Sequence, residues 1–169
     1  MQLLICGFML LLAVGWDVKT HRIPNQLVIG GGLIGLATAF LPDGIGWQSS
    51  ILGSIAGLAV FLPLYMLRIL GAGDVKLLSA VGSFVGYPGI LTVALFTGLI
   101  GGILAFLLAM HHRQLRLMLN QVHQGLVVFL MQIASGGRPR QWIMVVGPHR
   151  LPYALAIALG TFSYVLSIN

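Results

Sequence analysis

The sequence predicts an all-α, polytopic membrane protein with about six transmembrane helices, forming a single domain over residues 1–169. Hydrophobic residues make up 58% of the 169 residues and charged residues only 7%, and the mean hydropathy is +1.00. A soluble domain carries about a quarter charged residues. A chain of this length has too few charged residues to form a water-exposed surface. We therefore expect lipid to surround it.

The transmembrane helices are predicted from long apolar stretches. A hydrocarbon core about 30 Å thick needs roughly 20 apolar residues of helix. Backbone groups in lipid must be hydrogen-bonded internally, which favours helices over open strands. The first and fourth spans are short, and turn residues rich in Pro and Gly separate several of the spans. The six predicted spans are 2–16, 25–41, 50–70, 75–89, 90–110 and 151–168.

The segment 111–150 differs from the six spans because it mixes polar and apolar residues and contains five Arg. Its apolar stretch 125–134 is too short to cross a membrane. We therefore expect an amphipathic helix on the membrane surface, with its basic residues near anionic lipid.

The distribution of Lys and Arg predicts the orientation. With the N-terminus outside and six crossings, all nine basic residues fall on the cytoplasmic side, as the positive-inside rule requires. Orientation also explains the basic pI of about 10.3 better than nucleic-acid binding does, because the basic residues are sparse and separated by apolar runs. The basic residues are Lys19, Arg22, Arg68, Lys76 and the five Arg of 111–150.

The chain contains only three acidic residues. Asp43 lies in a Pro-Asp-Gly turn, where Asp is common. Asp17 and Asp74 both fall at the predicted cytoplasmic boundary, and carboxylates at this depth are costly and tend to mark function. Two structural readings remain open: Asp17 could be an interfacial residue at a helix end, and Asp74 could cap a helix that begins at Val75.

Asp74 closes a Gly-Ala-Gly-Asp sequence at the membrane edge. Gly71 and Gly73 permit a close backbone approach, which suits a carboxylate presented to an extended peptide. Lys76 follows in the first turn of the next helix, where the helix dipole disfavours a cation. It could extend to the lipid headgroups or tune the aspartates.

Three pairs of glycines with Gly-xxx-Gly spacing could let helices approach closely in lipid. A chain with 23 Gly would also produce several such pairs by chance. The pairs are Gly53/Gly57, Gly82/Gly86 and Gly98/Gly102.

Two motifs together resemble the type IV prepilin peptidases, which are GxGD membrane aspartic proteases. The first is Asp17-Val-Lys-Thr-His-Arg-Ile-Pro-Asn25, and the second is GAGDVK at 71–76. The resemblance covers most of the chain, including Leu151-Pro152-Tyr153-Ala154 before the last span. It implies that Asp17 and Asp74 are the catalytic aspartates, and that Gly71, Gly73, Lys76, Pro24 and Asn25 support them.

The resemblance also implies an activity. Members of the family remove the basic leader of prepilins or pseudopilins at the cytoplasmic face of the bacterial inner membrane. Larger members carry an insertion with paired CxxC motifs and N-methylate the new terminus. This sequence has one cysteine, Cys6, and little chain before Asp17, so methyl transfer is not expected. The short form resembles the peptidases of tight-adherence (Flp) pilus systems.

Hydrolysis by two carboxylates would have one partner ionised and the other protonated, and the sequence does not assign the two roles. No cofactor or metal is expected, since the five His residues are better explained as interfacial side chains. The main alternative is a small proton- or cation-coupled transporter or channel subunit that uses the same aspartates. A non-catalytic assembly factor that binds a partner through 111–150 is a third reading. The sequence does not give the oligomeric state.

Overall fold

A computed structural model describes residues 2–20, 23–66, 70–111 and 153–168, together with the isolated residues 120, 124, 127 and 131. Within these residues the chain forms six long α-helices and no strand, which confirms the predicted all-α class. The order of the helices also agrees with the six predicted spans. The helices are α1 (Gln2–Thr20), α2 (Asn25–Ala39), α3 (Trp47–Met66), α4 (Ala72–Val85), α5 (Gly89–His111) and α6 (Tyr153–Ser167).

Three of the described helices, α1, α3 and α5, are long and apolar enough to cross a membrane, while α2 and α6 are shorter apolar helices. Large apolar side chains are exposed along α5, including Leu95 (60% exposed), Leu99 (58%) and Ile103 (58%). Water would make such a surface unfavourable, whereas lipid covers it without cost. These features are those of an integral membrane protein.

Helix α4 is the centre of the bundle. It contacts each of the other five helices, and Leu77, Leu78 and Val81 are completely buried in it. Since the residues at its start carry the second motif, the burial of this helix fixes the position of that motif relative to the rest of the fold.

The first turn of α4 begins earlier than the sequence predicted. The helix starts at Ala72, so Asp74 is its third residue, whereas the structural reading made Asp74 the cap of a helix that begins at Val75. The backbone carbonyl of Gly71 already accepts hydrogen bonds from the N–H groups of Asp74 (3.1 Å) and Val75 (3.4 Å). The helix ends at Val85 and is capped by Gly86, whose φ of 75° is readily adopted by glycine.

Two of the three glycine pairs form a helix contact, and they face each other across α3 and α4. A Cβ atom added to Gly57 would lie 2.8 Å from the carbonyl oxygen of Leu78, and one added to Gly53 would lie 2.7 Å from the Cα atom of Gly86. The third pair, on α5, has no atom within 4 Å of an added Cβ at either glycine. The close approach of α3 and α4 also lets Ser50 donate a hydrogen bond to the carbonyl of Ser83 at 2.7 Å.

The predicted amphipathic segment 111–150 lies outside the described residues, apart from its first residue and four isolated positions. Its placement on the membrane surface therefore stays a prediction, and so does the orientation of the bundle, which depends on the Arg residues of this segment.

Candidate active site

Asp17 lies in the last turn of α1, which continues beyond the predicted end of the first span. Its side chain is only 6% exposed. Its Oδ2 atom accepts a hydrogen bond from the backbone N–H of Ala154 at 3.2 Å. Ala154 is the second residue of α6, where backbone N–H groups have no partner within the helix. The start of α6 therefore offers Asp17 both a hydrogen-bond donor and the positive end of a helix dipole.

Asp74 is half-buried at the start of α4. Its Oδ2 atom accepts a hydrogen bond from the backbone N–H of Gly71 at 3.1 Å. A Cβ atom on Gly71 would lie 3.2 Å from that same oxygen. Glycine at this position therefore leaves the carboxylate room to turn back on its own helix, as acidic residues near helix starts often do.

The two carboxylates share one end of the bundle. Asp17 is at the C-terminal end of α1, Asp74 is at the N-terminal end of α4, and these two helices contact each other and α6. The negative charge of Asp17 acts electrostatically on Asp74. Within the described residues, the Oδ1 atom of neither carboxylate receives a hydrogen bond. Each carboxylate thus has one oxygen held by the backbone and one oxygen available for chemistry.

The two sequence motifs also meet through their supporting residues. Ile23 packs against Gly73, where an added Cβ would lie 3.3 Å from the Cβ atom of Ile23. Lys76 donates a hydrogen bond from Nζ to Oδ1 of Asn25 at 3.0 Å. Pro24 precedes α2 in an extended conformation, and its carbonyl accepts the N–H of Leu27 at 3.1 Å. The hydrogen bond between Lys76 and Asn25 therefore joins the first turn of α2 to the start of α4.

These contacts describe the surroundings of two supporting residues, whose expected roles stay predictions. Gly73 packs against Ile23. The expectation that Gly73 also lets a peptide approach is not tested by this contact. Lys76 binds Asn25, and in the described part of the chain it forms no hydrogen bond with either aspartate. Both residues thus join the two motifs, and a role of Lys76 in tuning the aspartates stays a prediction.

Sequence reasoning missed the contribution of α6. Ala154 holds Asp17, and the charge of Asp74 acts on the phenol of Tyr153. The sequence suggested these residues only as the start of the last helix. The position of the last span was the available signal. A helix that begins just after a proline, at the depth of the two carboxylates, presents unpaired backbone N–H groups to them.

No three His, Cys, Asp or Glu side chains among the described residues are grouped so as to hold a metal ion. The chemistry that the described site offers is that of two carboxylates. Carboxylates that interact at short range favour a state in which one is protonated and the other is ionised, and such a pair can act as acid and base together.

Curated relatives share sequence with more than half of this chain. A prepilin leader peptidase/N-methyltransferase of Dickeya chrysanthemi is 30% identical over 110 residues, which cover 57% of this chain and 38% of that protein. An enzyme of the same name from Aeromonas salmonicida (strain A449) is 32% identical over 111 residues, covering 57% of this chain and 37% of the relative. The chain thus spans less than two fifths of the length of the curated relatives that it matches. No solved structure matches it.

A family model adds a match that does not depend on any single relative. The model that describes the type IV leader peptidase family matches residues 3–106. The matched region is more than half of the chain, and it contains α1 from its second residue, α2 to α4, both aspartates and both motifs. This chain belongs to the type IV leader peptidase family.

Proposed function

We propose that this protein is a membrane aspartic endopeptidase that removes the short basic leader from type IV prepilins or pseudopilins, with Asp17 and Asp74 as the catalytic pair. One observation carries the proposal. Two carboxylates that lie far apart in the sequence sit at one end of the bundle, within each other's electrostatic field, and each is held by a backbone N–H at the start of a helix.

The pair supplies what peptide hydrolysis requires. The ionised carboxylate takes a proton from a water molecule, whose oxygen attacks the carbonyl carbon of the scissile peptide. The protonated carboxylate donates to the carbonyl oxygen as negative charge develops there. A proton then passes to the leaving amine, the C–N bond breaks, and a new carboxyl group and a new amino terminus form. Because a coupled pair titrates as a unit, the two roles belong to the pair.

The geometry of the two carboxylates supports a role in acid–base catalysis. The Oδ2 atoms of Asp17 and Asp74 are occupied by the N–H groups of Ala154 and Gly71. These bonds limit the rotation of each carboxylate, so their Oδ1 atoms keep fixed positions before the substrate binds. Preorganised groups of this kind lower the barrier because they need little rearrangement during the reaction.

The location of the site in the membrane is part of the proposal. We infer from the charge distribution that the N-terminus lies outside and that the aspartates lie at the cytoplasmic face. The family resemblance suggests that this membrane is the bacterial inner membrane. A basic leader would be held on that same side. The segment 111–150, with five Arg, would lie against anionic lipid there, and residues 1–169 would act as one peptidase domain.

The test uses the purified chain in liposomes with prepilins as substrates. Asp17→Asn and Asp74→Asn each remove one ionisable group with little change in shape. Asp43→Asn is the matched control, because Asp43 is the third acid of the chain and is exposed in a turn between α2 and α3. We expect cleavage by the wild type and by Asp43→Asn, and only background cleavage by the other two variants.

Wild-type rates of leader removal by Asp17→Asn or Asp74→Asn would exclude the catalytic pair. A wild-type protein that cleaves nothing, yet carries protons into liposomes in a manner that depends on Asp17 and Asp74, would support the transporter. Both outcomes are measured on the same preparation, since leader removal is followed by gel mobility and proton flux by a dye trapped in the vesicles.

A further inference from the structure

The ring of Tyr153 is held in place at the start of α6. It meets the ring of Phe61 edge-to-face, with 6.0 Å between the ring centroids and 67° between the planes. It also packs against Gly101 of α5, where an added Cβ would lie 2.9 Å from the Tyr153 hydroxyl oxygen. Three helices thus fix one half-buried ring, and pairs of this geometry stabilise a fold beyond their buried area.

Packing explains the ring of Tyr153 but leaves its hydroxyl group unexplained. Phenylalanine would make the same edge contact with Phe61, and its ring carbons would keep the contact that Cε2 and Cζ of Tyr153 make with Gly101. Within the described part of the chain, the hydroxyl of Tyr153 makes no hydrogen bond. At neutral pH a phenol carries its proton and is a hydrogen-bond donor.

The position of Tyr153 relates this donor to both aspartates. The next residue, Ala154, binds Oδ2 of Asp17 through its backbone N–H. The Tyr153 phenol is partly buried, and the negative charge of Asp74 also acts on it. The ammonium group of Lys76, in the second motif, is bonded to Asn25.

We propose that Tyr153 is a third catalytic residue, whose hydroxyl donates a hydrogen bond to the carbonyl oxygen of the scissile peptide as that oxygen becomes negative. The inference rests on the proposed function, because it assigns a role in the same hydrolytic site. The hydroxyl neither gains nor loses its proton, so the proton transfers of the aspartate pair are unchanged. A donor aimed at a developing oxyanion acts mainly on the transition state, and its loss lowers kcat more than it changes KM.

The experiment compares two tyrosines of α6. Tyr153→Phe removes the hydroxyl and keeps the ring. Tyr164→Phe is the matched control, since Tyr164 is also half-buried and its hydroxyl packs against Gly89. We expect Tyr153→Phe to lower kcat for leader cleavage about 10- to 100-fold, which is at or below the lower end of what removal of an oxyanion donor costs. KM should change by less than about twofold, and Tyr164→Phe should match the wild type.

The folded state is checked by thermal unfolding in detergent. Tyr153→Phe should unfold close to the wild-type temperature, because its ring keeps the contacts with Phe61 and Gly101. A Tyr153→Phe protein that fails to fold would contradict this packing argument and overturn the inference. A third variant, Tyr153→Leu, removes the ring as well. If Tyr153→Leu is impaired while Tyr153→Phe keeps the wild-type kcat, only the ring matters and the inference is wrong.

The Asp17→Asn and Asp74→Asn variants distinguish an error in the role of Tyr153 from an error in the proposed function. If those two variants are inactive and Tyr153→Phe has wild-type kinetics, the aspartate pair stands and the role of Tyr153 is excluded. If the aspartate variants cleave normally, the proposed function fails and the role of Tyr153 fails with it.

Discussion

Replacing Gly82 by alanine is expected to separate α3 and α4, which approach closely through glycine. The added Cβ atom would lie 2.6 Å from the carbonyl carbon of Gly53 and 3.0 Å from the backbone nitrogen of Ser54. Carbon atoms in favourable contact are about 3.5–4.0 Å apart. Both neighbours are backbone atoms, so no side-chain rotation relieves the clash, and α3 and α4 must move apart by nearly an ångström.

The cost of this movement follows from what the interface contains. Overpacking of a well-packed core destabilises a protein by about 1–3 kcal/mol. Separation also stretches the hydrogen bond between Ser50 and the Ser83 carbonyl, which is 2.7 Å long and buried. We therefore expect a loss of about 2 kcal/mol, which lowers the ratio of folded to unfolded protein about 30-fold.

The assay is reversible unfolding in mixed micelles, followed by circular dichroism. Gly98→Ala is the control, because nothing lies within 4 Å of an added Cβ at that position. Both substitutions replace a helical glycine by alanine, so the gain in helix propensity of up to about 1 kcal/mol is common to both. Equal stability of the two variants would refute the claim that close contact between α3 and α4 requires glycine.

Two further predictions concern the contacts between the motifs. Lys76→Met and Asn25→Ala should each lower the stability by about 0.5 kcal/mol, the lower end for a hydrogen bond, since the pair is exposed. The double variant should lose little more than either single variant in chemical unfolding, and additive losses would argue against the bond. Gly73→Ala should lower leader cleavage about fivefold, because it displaces Ile23 by an overpacking of about 1 kcal/mol. Gly73→Ala combined with Ile23→Ala should restore the rate, and a double variant as slow as Gly73→Ala would show that Ile23 is not the cause.

The helices were predictable because the lipid bilayer imposes a simple rule on the sequence. Apolar runs of about 20 residues must be helical, and turns rich in Pro and Gly separate them. The start of α4 was less predictable. Gly71, Ala72 and Gly73 suggested a loop, whereas the helix begins at Ala72 because Gly71 accepts the N–H of Asp74 and binds its carboxylate.

The candidate site was predictable only in part. The motifs and the charge distribution suggested that Asp17 and Asp74 lie at one depth, and their catalytic role stays a prediction. The donor to Asp17 could not be inferred, since Ala154 is 137 positions away and its side chain carries no chemistry. The glycine spacing of Gly98 and Gly102 was equally uninformative, because such a pair on the lipid-facing side of a helix looks the same as one at a helix contact.

The hydrogen bond from Ala154 to Asp17 also has a consequence for biosynthesis. Of the six described helices, the ribosome completes α6 last. Both aspartates are therefore in place, with α4 already able to pack on α1, α2 and α3, before the donor for Asp17 has been made. A chain that stalls after α5 would keep every residue of the family match and would still lack the group that orients one of its two carboxylates.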